Sequence, residues 1–129
     1  MKTMVVAVLH PREHGGYDCR VPDFPGCVTS GRTIEEAVDM VNDAANLWAC
    51  DIETDGRPQP VITPYLEVEH EPNDILQILS VDTVEYRQRT DTRAVRKNVS
   101  MPAWMAYQAD KRGINCSQLL QDALKKALA

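Results

Sequence analysis

The segment from residue 95 to residue 128 places the strongest constraint on how this chain folds, because it is too short to bury a core alone. Arg96, Asn98 and Ser100 fall on one face and Val99 on the other, the two-residue period of a β-strand. Two short helical patterns follow. Since a strand and two helices of this size cannot shield an apolar face from water, the segment is predicted to form one half of an intertwined dimer.

The two helical patterns have clear boundaries. Pro102 occupies a first helical position, where its missing N–H costs nothing, and Gly113 ends the helix near Arg112 in the left-handed conformation. Asn115, with Gln118 three residues on, predicts a capping-box start for the second helix. Six apolar residues then form one stripe: Leu119, Leu120, Ala123, Leu124, Ala127 and Leu128. A stripe of this kind needs a partner surface.

The polar face of the predicted strand carries groups that can read DNA. Two such strands, paired antiparallel across a dimer axis, form a ribbon that fits a major groove. Arg96 can donate two hydrogen bonds to guanine, Asn98 can pair bidentately with adenine, and Ser100 is adaptable. The start of the second helix would present the N–H groups of Cys116 and Ser117 to a phosphate. The alternative is a helical hairpin that serves dimerisation alone, with a solvated strand face.

The charge distribution predicts two domains, 1–88 and 89–129. The first holds six Lys or Arg against 16 Asp or Glu, a net charge of −10, and the second holds eight against three, a net charge of +5. Residues 87–94 are polar throughout and are predicted to be a linker. The basic charge therefore lies in the segment that resembles a DNA reader. The acidic half is either a solubilising surface or a docking face for a basic partner that binds nucleic acid.

The acidic half has the pattern of an α+β domain. Strands are predicted at 4–9, 17–21, 27–30 and 75–84, with a turn over 10–16. Thr33 as N-cap and Glu36 three residues later begin a helix that ends before Asp55. The four prolines of residues 57–74 predict an exposed loop, which also carries several carboxylates. The expected architecture is an antiparallel sheet with one main helix.

Catalysis, metal binding and membrane insertion are not expected. The histidines and cysteines have no metal-ligand spacing, and no apolar run approaches the ~20 residues of a membrane span. No signal peptide is recognised, which favours a reduced, cytoplasmic protein. A nuclease would need several carboxylates converging on metal ions ~4 Å apart. Asp18 and Asp82 in strands and Asp23 in a loop are the only candidates considered, and solvated side chains are the expected outcome.

One run of sequence is specific enough to indicate a family. Residues 22–37 read P-D-F-P-G-C-V-T-S-G-R-T-I-E-E-A. This run resembles the HicB antitoxins, which share P-D-x-P-G-C followed by T-x-G-x-T-x-E-E-A at the entry to a helix. The preceding hairpin, a strand through Val81, Asp82 and Tyr86, and the C-terminal segment extend the likeness over nearly the whole chain. The C-terminal segment by itself resembles the ribbon-helix-helix repressors.

The resemblance implies a truncated ribonuclease-H-like domain joined to a ribbon-helix-helix domain, with no cofactor. It implies that residues 1–88 bind and neutralise a HicA-type toxin, an mRNA-cleaving enzyme. It also implies that residues 89–129 form a homodimer or higher even oligomer that binds operator double-stranded DNA and represses the operon. The implied base-reading residues are Arg96, Asn98 and Ser100, and the implied phosphate-binding residues are Asn115, Cys116 and Ser117.

The toxin contacts are predicted on acidic or rigid exposed segments. The candidates are Glu67, Glu69, Glu71 and Asp74 of the loop, and Asp23 and Phe24 of the proline-bounded turn. Two further functions stay open. The chain would be a stand-alone ribbon-helix-helix repressor if the N-terminal domain senses a small ligand. It would be an active nuclease if the carboxylates converge on metal ions.

Overall fold

A computed structural model describes residues 1–129 and divides them into two compact units, Met1–Arg93 (unit 1) and Ala94–Ala129 (unit 2). Unit 1 contains β1 (Lys2–Pro11), β2 (Tyr17–Arg20), β3 (Val28–Gly31), α1 (Ile34–Thr54), a 3₁₀ turn (Tyr65–Glu67), β4 (Ile75–Asp82) and α2 (Thr83–Thr90). Unit 2 contains α3 (Ala103–Lys111) and α4 (Cys116–Leu128). None of these helices is both long and apolar enough to cross a bilayer. The predicted α+β class is confirmed.

Unit 1 is built on a four-stranded antiparallel sheet in the order β3-β2-β1-β4. The central strand β1 is buried on both faces, which explains its continuous apolar run. Val5, Ala7 and Leu9 point towards α1, whose Val41 and Ala45 complete that core. Helix α1 begins as predicted, since the Thr33 hydroxyl accepts a hydrogen bond from the Glu36 N–H at 3.1 Å. The helix therefore covers one face of the sheet over 21 residues.

The segment over residues 57–74 covers part of the other face. Val68 is buried against Val6 and Val8 of β1, so the prediction of an exposed loop is wrong at this position. The 3₁₀ turn precedes this anchor, and Asp74 closes the segment beside β1. Val68 therefore anchors this part of the loop to the sheet through contacts with residues about 60 positions earlier in the chain.

The predicted strand through Tyr86 and the predicted linker from residue 87 are both wrong where α2 forms. Asp82 caps this helix by accepting a hydrogen bond from the Glu85 N–H at 3.1 Å. Tyr86 is buried against α1 and donates its hydroxyl to Asp43 at 3.2 Å. Arg87 donates to the carbonyl of Cys50 at 3.0 Å. One aromatic anchor and one arginine thus hold an otherwise polar helix against unit 1, and α2 runs on to Thr90.

Unit 2 is a helical hairpin without a buried residue. The two predicted helices are present, and Gly113 has the expected positive φ of 65° between them. The predicted strand over Arg96–Met101 does not form, because residues 91–102 pair with no other strand of the chain. A strand is held by hydrogen bonds to a neighbour, and a single copy of unit 2 contains none. Unit 2 lacks both a core and a paired strand for one reason, since a single copy supplies no second surface for either.

Candidate functional site

Unit 2 presents an open apolar groove of about 880 Å³ between the N-terminal segment and the two helices. Lys97, Val99 and Met101 line the groove, whereas Arg96, Asn98 and Ser100 do not and are exposed. The remaining lining is mainly apolar and aromatic, including Trp104, Met105, Ile114, Leu119, Leu120 and Ala123. The segment therefore has the two-sided arrangement that the alternation predicted, even though it lacks a strand partner.

The start of α4 is organised by its cap. The Asn115 side chain accepts a hydrogen bond from the Gln118 N–H at 3.1 Å, so half of the predicted capping box is present. The reciprocal half is absent because the Gln118 amide donates to Asp122 at 3.0 Å. The N–H groups of Cys116 and Ser117 lie in the first turn, where a helix offers them no acceptor. Cys116 and Ser117 also line the groove, and the Asn115 side-chain oxygen is occupied by the cap.

Phe24, a predicted toxin contact, belongs to the core of unit 1. Its side chain is 1% exposed and stacks on Trp48 with ring centroids 4.2 Å apart and an interplanar angle of 10°. The Trp48 indole N–H donates to the carbonyl of Pro25 at 3.0 Å. The proline-bounded turn thus places an aromatic ring inwards against α1. Phe24 is removed from the candidate contact surface.

Asp23 is occupied by a structural contact of its own. Its two carboxylate oxygens accept hydrogen bonds from the backbone N–H of Thr63 at 2.8 Å and from the hydroxyl of Thr63 at 2.6 Å. This bidentate contact ties the proline-bounded turn to the loop 40 residues further along the chain. The carboxylate positions the loop, and only its remaining lone pairs are available to a partner.

The other loop carboxylates differ in exposure. Glu67, Glu69 and Glu71 are exposed, but the side chain of Asp74 is only 3% exposed. Asp74 lies 2.6 Å from Nδ1 of His10 and also accepts a hydrogen bond from the Glu71 N–H at 2.9 Å. His10 is therefore part of a clasp between β1 and the end of the loop.

The clasp perturbs the pKa of both partners. The hydrogen bond with Asp74 raises the pKa of His10 above its ordinary 6.5, assisted by the charges of Asp74 and Glu71 and opposed by desolvation. Burial acts to raise the pKa of Asp74, but the Glu71 N–H and His10 outweigh it and lower that pKa below 3.8. The ligand atoms of His10, Glu71 and Asp74 lie within 4.8 Å of one another, close enough to share a cation. A metal would have to replace the direct His10–Asp74 contact.

We expect Asp74→Asn to lower the pKa of His10 towards 6.5, and Glu71→Gln to lower it less, since the Asp74 hydrogen bond is the larger cause. The stabilisation by charged His10 is present below its unfolded pKa and is lost as pH rises through its raised folded pKa. That of Asp74 is lost as pH falls through its lowered pKa. Titration of the His10 ring signal by NMR measures the shift. An unchanged pKa in Asp74→Asn would contradict the clasp.

The carboxylates considered for a nuclease centre are used in separate contacts. Asp18 accepts a hydrogen bond from Arg12 at 2.6 Å, which lowers the pKa of its carboxyl group. Asp23 binds Thr63 and Asp82 caps α2, as described above. None of the three belongs to the group of residues whose ligand atoms approach closely enough to hold a metal. The arrangement therefore offers no observation that favours the nuclease function.

The outward face of α1 is a charged surface that the sequence analysis did not single out. Residues 34–54 hold six carboxylates and no Lys, Arg or His. Glu36 forms a 3.4 Å ion pair with Arg32, but Glu35, Asp39 and Asp51 form no ion pair in the chain. The sequence contains this signal, since every charged residue of the predicted helix is acidic. The apolar stripe of the same helix predicts only its buried face.

Comparisons with known proteins identify a family. Residues 5–123 match the model of the HicB-like antitoxins of bacterial toxin–antitoxin systems. A UPF0150 protein of Helicobacter pylori is 33% identical over 52 residues, which cover 40% of this chain and 72% of that protein. A chain from a toxin–antitoxin complex of Streptococcus pneumoniae has a TM-score of 0.61 at 20% identity, with 98% of this chain and 99% of that chain covered.

The antitoxin HicB of Burkholderia pseudomallei has a similar fold, with a TM-score of 0.57 at 22% identity. The likeness covers 98% of this chain and 99% of that chain. At this level of identity the solved structures establish the fold, whereas the family model spans most of the sequence. The resemblance predicted from residues 22–37 is confirmed. This chain belongs to the HicB-like antitoxin family of bacterial toxin–antitoxin systems.

Proposed function

We propose that this chain neutralises a small basic mRNA-cleaving toxin of the HicA type by binding it through unit 1. The separation of charge within the chain carries the proposal. Unit 1 holds eight Lys or Arg against 17 Asp or Glu, a net charge of −9, and unit 2 holds six against two, a net charge of +4. An enzyme that binds RNA presents basic groups to phosphates, and an acidic protein surface competes for the same groups. Inhibition is then both steric and electrostatic.

The second part of the proposal concerns unit 2 as an operator-binding module. Two copies close the apolar groove between them, and their Arg96–Met101 segments pair as an antiparallel ribbon. Arg96, Asn98 and Ser100, which lie outside the groove lining, then face the major groove. The N–H groups of Cys116 and Ser117 bind a backbone phosphate beside the Asn115 cap. This arrangement is that of the ribbon-helix-helix fold, which we propose for unit 2, and the family resemblance supports a truncated ribonuclease-H-like fold for unit 1.

Co-expression with the protein encoded beside this gene tests the toxin partner. This chain alone carries an affinity tag, and the masses of the recovered proteins are measured together with growth of the host. A stoichiometric small basic protein that arrests growth when it is expressed alone, and not with this chain, is the expected result. A bare homodimer that shifts promoter DNA would overturn the antitoxin proposal and favour the ligand-sensing repressor.

The two classes of DNA contact predict different mutant behaviour. Arg96→Ala should cost about 1–3 kcal/mol on the operator and relax the base preference at one position. Cys116→Pro removes one phosphate-binding N–H at a helix position that accepts proline, so it should weaken all sequences alike. Fluorescence anisotropy with the promoter DNA and a base-substituted copy separates the two. Equal loss of discrimination in both variants would refute the assigned roles.

A further inference from the structure

The solvent-facing side of α1 forms a single ridge of alternating carboxylates and large apolar residues. Its members are Glu36, Met40, Asp43, Leu47 and Asp51. They are spaced by four, three, four and four residues, which places them along one line of the helix. The buried residues Ala37, Val41 and Ala45 lie on the opposite side, against the sheet. The ridge is therefore held on a rigid element, on a side of α1 that does not pack on the sheet.

The two apolar members are exposed without a covering element in unit 1. Met40 is 46% exposed and Leu47 is 49% exposed, although both lie in the middle of the longest helix. Single exposed apolar residues are ordinary, but two residues at i and i+7 in one line have the spacing of helix-in-groove recognition. Methionine is also a residue that protein interfaces favour. The spacing therefore indicates that Met40 and Leu47 pack into the surface of a partner.

The charges on the ridge indicate the sign of the charge on that partner's surface. Asp51 forms no ion pair within the chain, and Asp43 accepts only the neutral hydroxyl of Tyr86 at 3.2 Å. Glu36 has the weak ion pair with Arg32 at 3.4 Å. The carboxylates of the ridge are seven and eight residues apart, and α1 contains no Lys, Arg or His that could pair with them. A basic surface would complement the ridge.

We infer that this ridge is the surface through which unit 1 docks on its toxin, with Met40 and Leu47 entering a shallow apolar groove. The carboxylates at Asp43 and Asp51 pair with the Lys or Arg side chains that otherwise bind RNA phosphates. This inference rests on the proposed function and moves the principal contact from the loop to α1. A preorganised helix loses less entropy on binding than a loop does. Two of the candidates predicted from the sequence, Asp23 of the turn and Asp74 of the loop, are already used in internal contacts.

Substitutions on the ridge test the inference in the full-length chain. The probe is a catalytically inactive form of the small basic protein encoded beside this gene, and calorimetry measures its affinity. Met40→Lys combined with Leu47→Lys should raise Kd at least 100-fold, and Asp51→Lys about tenfold at low salt with a smaller effect at high salt. Val84→Lys is the matched control, since Val84 is 48% exposed on α2 of the same unit and should leave Kd unchanged.

A competing variant removes the loop charges by Glu67→Gln, Glu69→Gln and Glu71→Gln together. A greater loss of affinity in this variant than in the Met40 and Leu47 double variant would place the contact on the loop and overturn the inference. Wild-type binding that persists in the ridge variants would overturn it as well, while the toxin partnership stands. Failure of the wild-type chain to bind the probe would instead reject the proposed function. Circular dichroism and tryptophan fluorescence verify that each variant is folded.

Discussion

Gly31→Ala is expected to destabilise unit 1 by at least about 3 kcal/mol, the upper part of the range for overpacking a well-filled site. A Cβ atom at Gly31 would lie 2.4 Å from the backbone nitrogen of Ala37 and 2.5 Å from its Cα. Both are atoms of the first turns of α1, so relief requires the helix to move away from β3. Such a shift would strain the pairing of Gly31 with Tyr17.

Urea unfolding followed by Trp48 fluorescence in a Trp104→Phe background measures this loss in unit 1 alone. Gly56→Ala is the matched control, because Gly56 has a φ of 68° and nothing lies within 4 Å of its added Cβ. The control should cost about 1–2 kcal/mol, the penalty of a left-handed alanine. Gly31 itself has no positive φ, so a loss in Gly31→Ala no larger than that of the control would contradict the steric conflict with α1.

Leu120→Asp is expected to abolish self-association of unit 2 and to lower operator affinity at least 100-fold. The side chain lines the apolar groove, and unit 2 buries no residue in a single copy. A second copy that covers the groove would enclose an unpaired carboxylate, which costs several kcal/mol. Because the proposed ribbon forms only between two copies, loss of self-association would remove the proposed DNA-reading surface as well.

Sedimentation velocity and gel shifts with the promoter DNA measure the two effects in the same samples. Gln121→Asp is the matched control, since it adds the same charge one residue further along α4, where the side chain is exposed and outside the groove lining. Dimer formation and DNA binding should survive in the control. A Leu120→Asp protein that remains dimeric would contradict the placement of the dimer interface in this groove.

Local signals were sufficient for most of the secondary structure. The hydroxyl of Thr33 and the amide of Asn115 begin α1 and α4 through bonds that span three residues, so a short window of sequence contains both partners. Gly113 likewise indicates a left-handed backbone conformation by its residue type alone. Helix α2 was missed because its sequence is polar and its stability comes from Tyr86 and Arg87 contacting α1, about 40 residues away.

The sequence by itself was sufficient to predict the antitoxin family, the separation of charge and the helix caps. Each of these can be recognised within a continuous stretch of the chain. The tertiary structure alone decided which candidate side chains are available to a partner. Phe24 is buried and stacks on Trp48, and His10 contacts Asp74, which lies 64 residues further along the chain. These contacts arise when the sheet brings distant segments together, and burial then removes a residue from the surface or alters its pKa. The exposure of the ridge on α1 has the same origin, because the opposite face of the helix packs on the sheet.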